Sequence, residues 1–340
     1  MSKPPSDEIK FCLVRSPVRV SLFGGGTDYP EFFNSNKGAV IGCAINKYIY
    51  FGMLSASNFV DYKYRLAYSI LNTTNSIEGI EHPLVKKALE YYVIDHPLDF
   101  SFQADLPASS GLGSSSAFSV GMVKLLNEFK GKKLSKDEIA NEAIYIDREL
   151  MRENVGVQDH LHATHGGLNR FDLQKDKFIK SSIAISEEKL RFLENSMLLV
   201  HTGNKRSASQ IAKNQIERIS SNQVNKNLED ILLMVDEAHK ILESGQQESF
   251  TKDLGELLNS YWDQKKAISK GITEKHIDDI YIKGIQLGAY GGKLCGAGGG
   301  GFMLFIINPL DREKYIEAFG SKNCVNTKID QEGAKTLFSI

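Results

Sequence analysis

Apolar positions early in the chain follow the two-residue period of half-buried strands. Val18, Val20 and Leu22 alternate with Arg19 and Ser21, so one face of that run is dry and the other polar. Gly24-Gly25-Gly26 ends the run. Residues 39–45 and 48–54 predict two further strands, and Ala56-Ser57-Asn58 predicts a turn between strands. The period then lengthens. Leu84, Ala88, Leu89 and Tyr92 share one face of a helix predicted over 82–94, because residues three and four apart stack on a helix surface. Residues 100–104 return to a short aromatic strand.

Residues 117–129 predict an amphipathic helix, with Val120, Val123 and Leu126, or Leu125 and Phe129, as its buried stripe. Ser135 followed by Glu138 is a capping-box signature that opens another helix, to about Arg152. Gly166-Gly167 breaks the chain before a strand at 168–173. Residues 197–200 read as a strand, and a long helical tract runs from about Ser207 to Gly288, interrupted near Gly245 and Gly271. Helix-like sequence then precedes a glycine cluster at 296–301, after which residues 302–307 form an apolar strand. Short strands follow near Val325 and Leu337. Strands and helices mix in both halves without regular alternation. That pattern is α+β in two lobes, 1–185 and 186–340.

Composition narrows the classes. Hydrophobic residues make up 41% and charged residues 24%, ordinary for a globular chain of 340 residues, which excludes disorder and coiled coil for the whole. Lys plus Arg is 41 against 42 Asp plus Glu, so no basic excess marks a nucleic-acid partner. Basic residues such as Lys265-Lys266 are interleaved with acidic ones and read as solvated helix faces. Four scattered cysteines make neither a disulfide framework nor a zinc site. The polar first ten residues offer no secretory core, and no apolar window is long enough to span a membrane. A reducing cytoplasm is the expected address.

Three segments carry candidate chemistry. Pro107-Ala108-Ser109-Ser110-Gly111-Leu112-Gly113-Ser114-Ser115-Ser116-Ala117 lies between a strand and a helix. Glycines there let successive N–H groups turn inward, and the helix start adds its unpaired amides, which together form a cradle for phosphates. The P-loop pattern is absent. Gly296-Ala297-Gly298-Gly299-Gly300-Gly301 formally satisfies GxGxxG, but the expected helix precedes it and a strand follows, the reverse of a dinucleotide fold. A tight loop approaching a ligand or another loop suits it better. In Ser16-Pro17-Val18-Arg19-Val20-Ser21-Leu22-Phe23-Gly24-Gly25-Gly26-Thr27-Asp28-Tyr29, an arginine-bearing strand runs into glycines and then a carboxylate able to accept bonds from a polyol.

Together and in this order, PVRVSLFGGGTDY, PASSGLGSSSA and KLCGAGGGGF resemble the GHMP small-molecule kinases, over roughly residues 11–340. The resemblance implies an N-terminal lobe like ribosomal protein S5 domain 2 and a ferredoxin-like C-terminal lobe, with ATP and substrate between them. The middle segment would bind the ATP phosphates through Pro107, Ser109, Ser110, Gly111, Leu112, Gly113, Ser114, Ser115 and Ser116, and the third segment would pack beside the first. Asp159 falls on the catalytic aspartate, and Arg19 on the arginine that orients it. Ser115 and Asp147 fall on the Mg²⁺ ligands, with Glu149 as rival because Asp147 is shorter than the usual Glu. His160, His162 and His165 make an HxHxxH set without a carboxylate at ligand spacing, so they read as polar helix positions or pocket wall.

Gly25 and Gly26 stand where galactokinases of the family carry Glu and His, which argues for a substrate needing more room. FGGGTDYPEFF with Gly156-Val157-Gln158-Asp159 most resembles the D-glycero-D-manno-heptose 7-phosphate kinases, with fucokinase-type enzymes as the alternative. The implied reaction places the γ-phosphate of ATP on the anomeric hydroxyl, yielding a 1,7-bisphosphate for nucleotide-activated heptose synthesis. Expected substrate contacts are Gly25, Gly26, Thr27, Asp28, Gly298 and Gly299. Lys205 and Arg206 would clamp the sugar phosphate at a helix start, and Lys293 is the reserve cation. A non-catalytic sugar-binding relative is the other class of reading, and whether copies of the chain associate is left open.

Overall fold

The computed structural model describes residues 10–57, 59–175, 177–203, 208–244, 249–268 and 271–340. The alternating run becomes β1 (Phe11–Phe23), and the short helix α1 (Pro30–Phe33) leads into β2 (Gly38–Ser55). There follow β3 (Tyr64–Ala67), β4 (Leu71–Thr74), α2 (Pro83–Tyr92), β5 (Leu98–Ala104), α3 (Ser114–Phe129), α4 (Lys136–Tyr145), α5 (Gln158–His165), β6 (Leu168–Gln174) and β7 (Lys177–Ser182). The remaining chain forms α6 (Glu187–Ser196), β8 (Met197–His201), α7 (Ala208–Ser220), α8 (Asn225–Ser244), α9 (Phe250–Ile268) and α10 (Lys275–Gln286). It closes with β9 (Gly291–Leu294), β10 (Phe302–Ile306), α11 (Arg312–Phe319), β11 (Cys324–Val325) and β12 (Lys335–Ser339).

The first sheet has eight strands, ordered β12-β1-β2-β5-β3-β4, with β6 and then β7 branching from β2. The branch is possible because β2 is 18 residues long. Its first part, Gly38–Cys43, pairs with β6, while Ile49–Ser55 pairs with β5. In the β1–β2 register Arg19 lies opposite Ala44, beyond the stretch of β1 that pairs with β12, so this part of β1 is free to meet the loop before α3. Helix α3 packs onto both long strands, and Gly121 makes that approach possible. A Cβ at Gly121 would meet Phe51 Cε2 at 2.1 Å. This close packing fixes the line along which the N-terminus of α3 points.

The second sheet is antiparallel, ordered β11-β8-β10-β9, and α9 and α10 pack against it. All of Phe302–Ile306 is buried, as a continuous apolar strand between covered faces should be. One hydrophobic core joins the two sheets, running from Val20 and Phe23 through Tyr261 and Trp262 to Leu294. This is a mixed α and β architecture in which the two sheets lie side by side.

Four features depart from expectation. The segment before the glycine cluster is strand β9 rather than helix, because Met303–Ile306 of β10 pairs with it over its whole length. The helical tract from residue 207 carries a further break at 221–224, while its expected break at Gly245 lies outside the described residues. α4 runs as α-helix to Tyr145 and continues to Leu150, near its expected end, but its last turn is a wide π-helical one, Ile146–Leu150. Finally, although the second sheet begins beyond residue 185, β12 pairs with β1 and Ile329 bridges to Ile45, so the chain's end belongs to the first sheet.

Candidate active site

The segment between β5 and α3 folds as a curl of backbone. Ser109, Gly111 and Gly113 all have left-handed φ, at 60°, 73° and 73°. For Ser109 that conformation is uncommon and costs energy, so the loop is held rather than relaxed. Gly113 caps α3 with no side-chain acceptor, which leaves the first amides of a 16-residue helix facing the cleft. Ser109, Gly111, Gly113, Ser114, Ser115 and Ser116 line that cleft, whose volume is about 270 Å³. Three of the expected loop residues do something else. Pro107 is exposed outside the cleft wall. Leu112 is fully buried and its carbonyl accepts the Arg19 N–H at 2.9 Å. The Ser110 hydroxyl is buried with no partner among the described residues.

Arg19 and Asp159 meet at the cleft's centre. Arg19 Nε donates to Asp159 Oδ1 at 2.7 Å, Nη2 lies 2.6 Å from the same oxygen, and Nη1 donates to the Gly111 carbonyl at 2.9 Å. Arg19 is 3% exposed and the Asp159 side chain 22%. A fixed guanidinium thus holds one oxygen of a carboxylate that the cleft can still reach. A Cβ at Gly113 would come within 2.9 Å of Asp159 Oδ2, so the glycine keeps the carboxylate beside the helix start. The cradle and the carboxylate are neighbours.

The glycine turn after β1 supplies a further part of the wall through Gly25, Gly26, Asp28 and Tyr29. Thr27 is buried and is no part of that wall. Its Oγ1 donates to the Gly24 and Ala39 carbonyls at 2.8 and 2.9 Å, which locks the turn onto β2. Asp28 reaches the cleft, but its Oδ1 accepts from Gly26 N and its Oδ2 from Gln158 Nε2, both at 2.9 Å. Burial raises its pKa above the ordinary carboxylate value, and the Asp159 charge adds to that. Gly156 is needed here, since a Cβ on it would sit 2.0 Å from Asp28 Oδ2.

The second lobe closes the cleft with Ala212, Gln215, Lys265, Gly296 and Ala297. Lys265 is buried on α9, against the expectation of a solvated face, and its Nζ donates to the Gly296 carbonyl at 2.7 Å. Burial lowers its pKa to about 8, while Asp28 and Asp159 pull the other way. The third glycine segment packs on the phosphate loop and also touches the first segment, as expected, through Lys293 Nζ and the Ser21 carbonyl. Cβ atoms at Gly296 and Gly301 would strike Gly111 Cα and the Ser110 carbonyl at 2.7 and 2.4 Å. Gly298 and Gly299 face away from the cleft, where the Gly299 N–H donates to the Ile272 carbonyl at 3.0 Å. Lys293 is fully buried with Nζ donating to the Ser21 carbonyl at 2.6 Å, so it cannot meet a substrate, and burial brings its pKa to about 7.

The expected metal pair is split. Ser115 is exposed in the cleft, whereas Asp147 is 2% exposed and absent from the wall. Ser119 Oγ donates to one Asp147 oxygen, and His160 Nε2 lies 2.8 Å from the other. Both oxygens are therefore used inside the seam between α3 and α5. The wide turn at Ile146–Leu150 rotates Glu149 into a different cavity, beside Glu31 and Arg148. His162 and His165 are buried against Phe171, as interior residues rather than cleft wall, and no cluster of metal-ligating side chains occurs among the described residues. Lys205 and Arg206 lie outside the described residues.

Sequence reasoning missed Lys265, Gln215, Glu153, Asn154 and Gln158 as cleft residues. A signal for Lys265 existed: it follows Tyr261 by one turn, on the stripe that also carries Leu254, Leu258 and Trp262. Glu153 and Asn154 gave none, because a wide turn places them and its backbone is invisible to periodicity.

Comparison with known proteins completes the description. The family model for the GHMP kinases N terminal domain matches residues 83–167, and that for GHMP kinases C terminal matches 242–326, together half of the chain. The D-glycero-alpha-D-manno-heptose 7-phosphate kinase of Campylobacter jejuni is 29% identical over 325 residues, covering 91% of this chain and 93% of that protein. The L-fucokinase/L-fucose-1-P guanylyltransferase of Bacteroides fragilis is 28% identical over 92% of this chain and 36% of its own length. A crystal structure of a D-glycero-D-manno-heptose 1-phosphate kinase from Bacteriodes thetaiotaomicron superposes with a TM-score of 0.72 at 22% identity. It covers 96% of this chain and 98% of that one.

Proposed function

This chain belongs to the GHMP kinases, phosphotransferases with an alcohol acceptor, and from that premise we propose that it is an ATP-dependent sugar 1-kinase acting on D-glycero-D-manno-heptose 7-phosphate. One observation carries the chemistry: the Arg19–Asp159 pair stands beside an uncapped helix start within a single cleft. ATP phosphates would lie on the loop of Ser109–Ser116, held by amides and hydroxyls. The anomeric hydroxyl would approach Asp159, whose free Oδ2 accepts its proton as the sugar oxygen bonds the γ-phosphorus. The bond from that phosphorus to the β-phosphate oxygen breaks, and ADP leaves. Arg19 keeps Asp159 oriented throughout. Mg²⁺ bound to ATP would neutralise phosphate charge, and Ser115, exposed in the cleft, is the side chain that would hold it.

The heptose reading rests on the similarity to the Campylobacter jejuni kinase, with Gly25 and Gly26 in the cleft wall where galactokinases of the family carry Glu and His. Similarity to the fucokinase favours L-fucose as the alternative acceptor, with the same transfer chemistry. The 1–185 and 186–340 lobes are proposed as the units that close on substrate, tied by β12. A cytoplasmic, membrane-free setting is part of the proposal; no helix among the described residues is long and apolar enough to cross a membrane. ADP release measured with heptose 7-phosphate, fucose, galactose and mannose tests the substrate. Heptose 7-phosphate should give the highest kcat/KM, with ³¹P NMR showing a new anomeric phosphate. Preference for fucose would overturn the heptose assignment.

A further inference from the structure

Among the described residues that line the cleft, only Arg19 and Lys265 are cationic. Arg19 is committed to Asp159 and Gly111 through Nε, Nη1 and Nη2. Lys265 is not. Of the three N–H bonds of its ammonium, one is accepted by Gly296 O, and no other hydrogen bond or ion pair ties it to a described residue. It stands against a glycine. A Cβ on Gly25 would have Tyr261 Oη at 3.1 Å, Gln158 Nε2 at 3.3 Å and Lys265 Nζ at 3.6 Å as its nearest neighbours. There is no room for a side chain at that position, so the Gly25 backbone lies directly against three polar groups of the cleft wall. Tyr261 anchors the group, its hydroxyl lying 3.3 Å from the Gly25 carbonyl. Packing of α9 along Leu254, Leu258 and Trp262 holds Lys265 in place.

We propose that Lys265 binds the phosphate of the acceptor sugar within the cleft, beside the Gly25 turn, making it the residue that selects a phosphorylated acceptor over a neutral one. The inference rests on the sugar-phosphate kinase reading. A buried ammonium with spare donors and two nearby carboxylates already spoken for is short of an anion. Asp28 is engaged by Gly26 and Gln158, and Asp159 by Arg19. A phosphate oxygen supplies what is missing.

The charged and titratable groups around it are Arg19 of β1, Asp28 of the glycine turn, Asp159 of α5, Lys293 of β9 and Cys295 beyond it. In that setting the ammonium loses its proton near pH 8. The wild-type acceptor KM should therefore stay level from pH 7 to about 8 and rise above it, while the ATP KM does not follow. Lys265→Met should raise the KM for heptose 7-phosphate about 10- to 100-fold, the range for a lost charge-assisted bond. It should leave the ATP KM within about twofold and flatten the pH dependence of the acceptor KM. Lys265→Gln, which keeps a donor, should fall between the two, and the wild-type pH profile needs no substitution at all.

A Lys265→Met enzyme with unchanged acceptor KM, or one whose ATP KM rises instead, overturns the inference while leaving the kinase reading intact. A wild type that turns over neutral sugars but not heptose 7-phosphate removes the sugar-phosphate reading, and the inference with it.

Discussion

At the scale of single residues, the site divides into groups that line the cleft and buried groups behind them. Asp147 belongs to the second kind. Asp147→Ala leaves His160 Nε2 buried without its partner, a loss of about 1–3 kcal/mol, while Ser119 Oγ falls back on the Ser115 carbonyl at 3.4 Å. Urea unfolding should show that loss, while the Mg²⁺ concentration for half-maximal turnover moves less than about twofold. A large shift in the metal requirement with unchanged stability would return Asp147 to the metal. His162 sets an acid limit on the fold. Its ring nitrogens have no partner among the described residues and burial lowers its pKa from 6.5 to about 3, so the folded form is neutral. Unfolding releases the ring to take up a proton, so His162 favours the fold above pH 6.5. That advantage falls by about 1.4 kcal/mol per pH unit as pH drops from 6.5 towards 3. Denaturation at pH 7 and pH 5 should show a smaller loss in His162→Leu than in the wild type. Arg19, Asp159 and the serine loop were readable from motif order. Thr27, Gly298 and Gly299 were misplaced because a motif marks a segment and not which of its atoms face inward.

Among elements, α3 and its preceding loop build the cradle side of the cleft. Gly121 lets α3 sit against β2, and Gly113 lets the helix begin without a cap beside Asp159. Gly113→Ala puts a Cβ 2.9 Å from Asp159 Oδ2 at a φ of 73°, so the carboxylate must shift. Turnover should fall about tenfold or more, since misplacement of a reacting group by a fraction of a bond length is costly. A Gly113→Ala enzyme within about twofold of wild type would show that Asp159 tolerates displacement. Helices and strands with strong periods, such as α3, α2 and β10, were legible in the sequence. Short polar pieces such as β3, β4 and β7 were not, because tertiary pairing and not local pattern makes them strands. β9 reads as helix for the same reason: pairing with β10 overrides it.

In the whole molecule, two sheets share one hydrophobic core and one cleft, and the cleft draws its walls from residues as distant in sequence as Arg19 and Ala297. That convergence explains why Lys265 escaped a linear reading: its role depends on a glycine 240 positions earlier. It also sets the central claim, that cradle and carboxylate act as one phosphotransfer site with separable tasks. The most direct test is Asp159→Asn, read both for turnover and for ATP affinity by calorimetry. Removing the charge deletes the proton acceptor but leaves the loop of Ser109–Ser116 in place, so kcat should fall about 10²- to 10⁴-fold while the ATP Kd changes less than about threefold. A variant that keeps a fifth of normal turnover, or that loses ATP binding along with activity, would contradict the account.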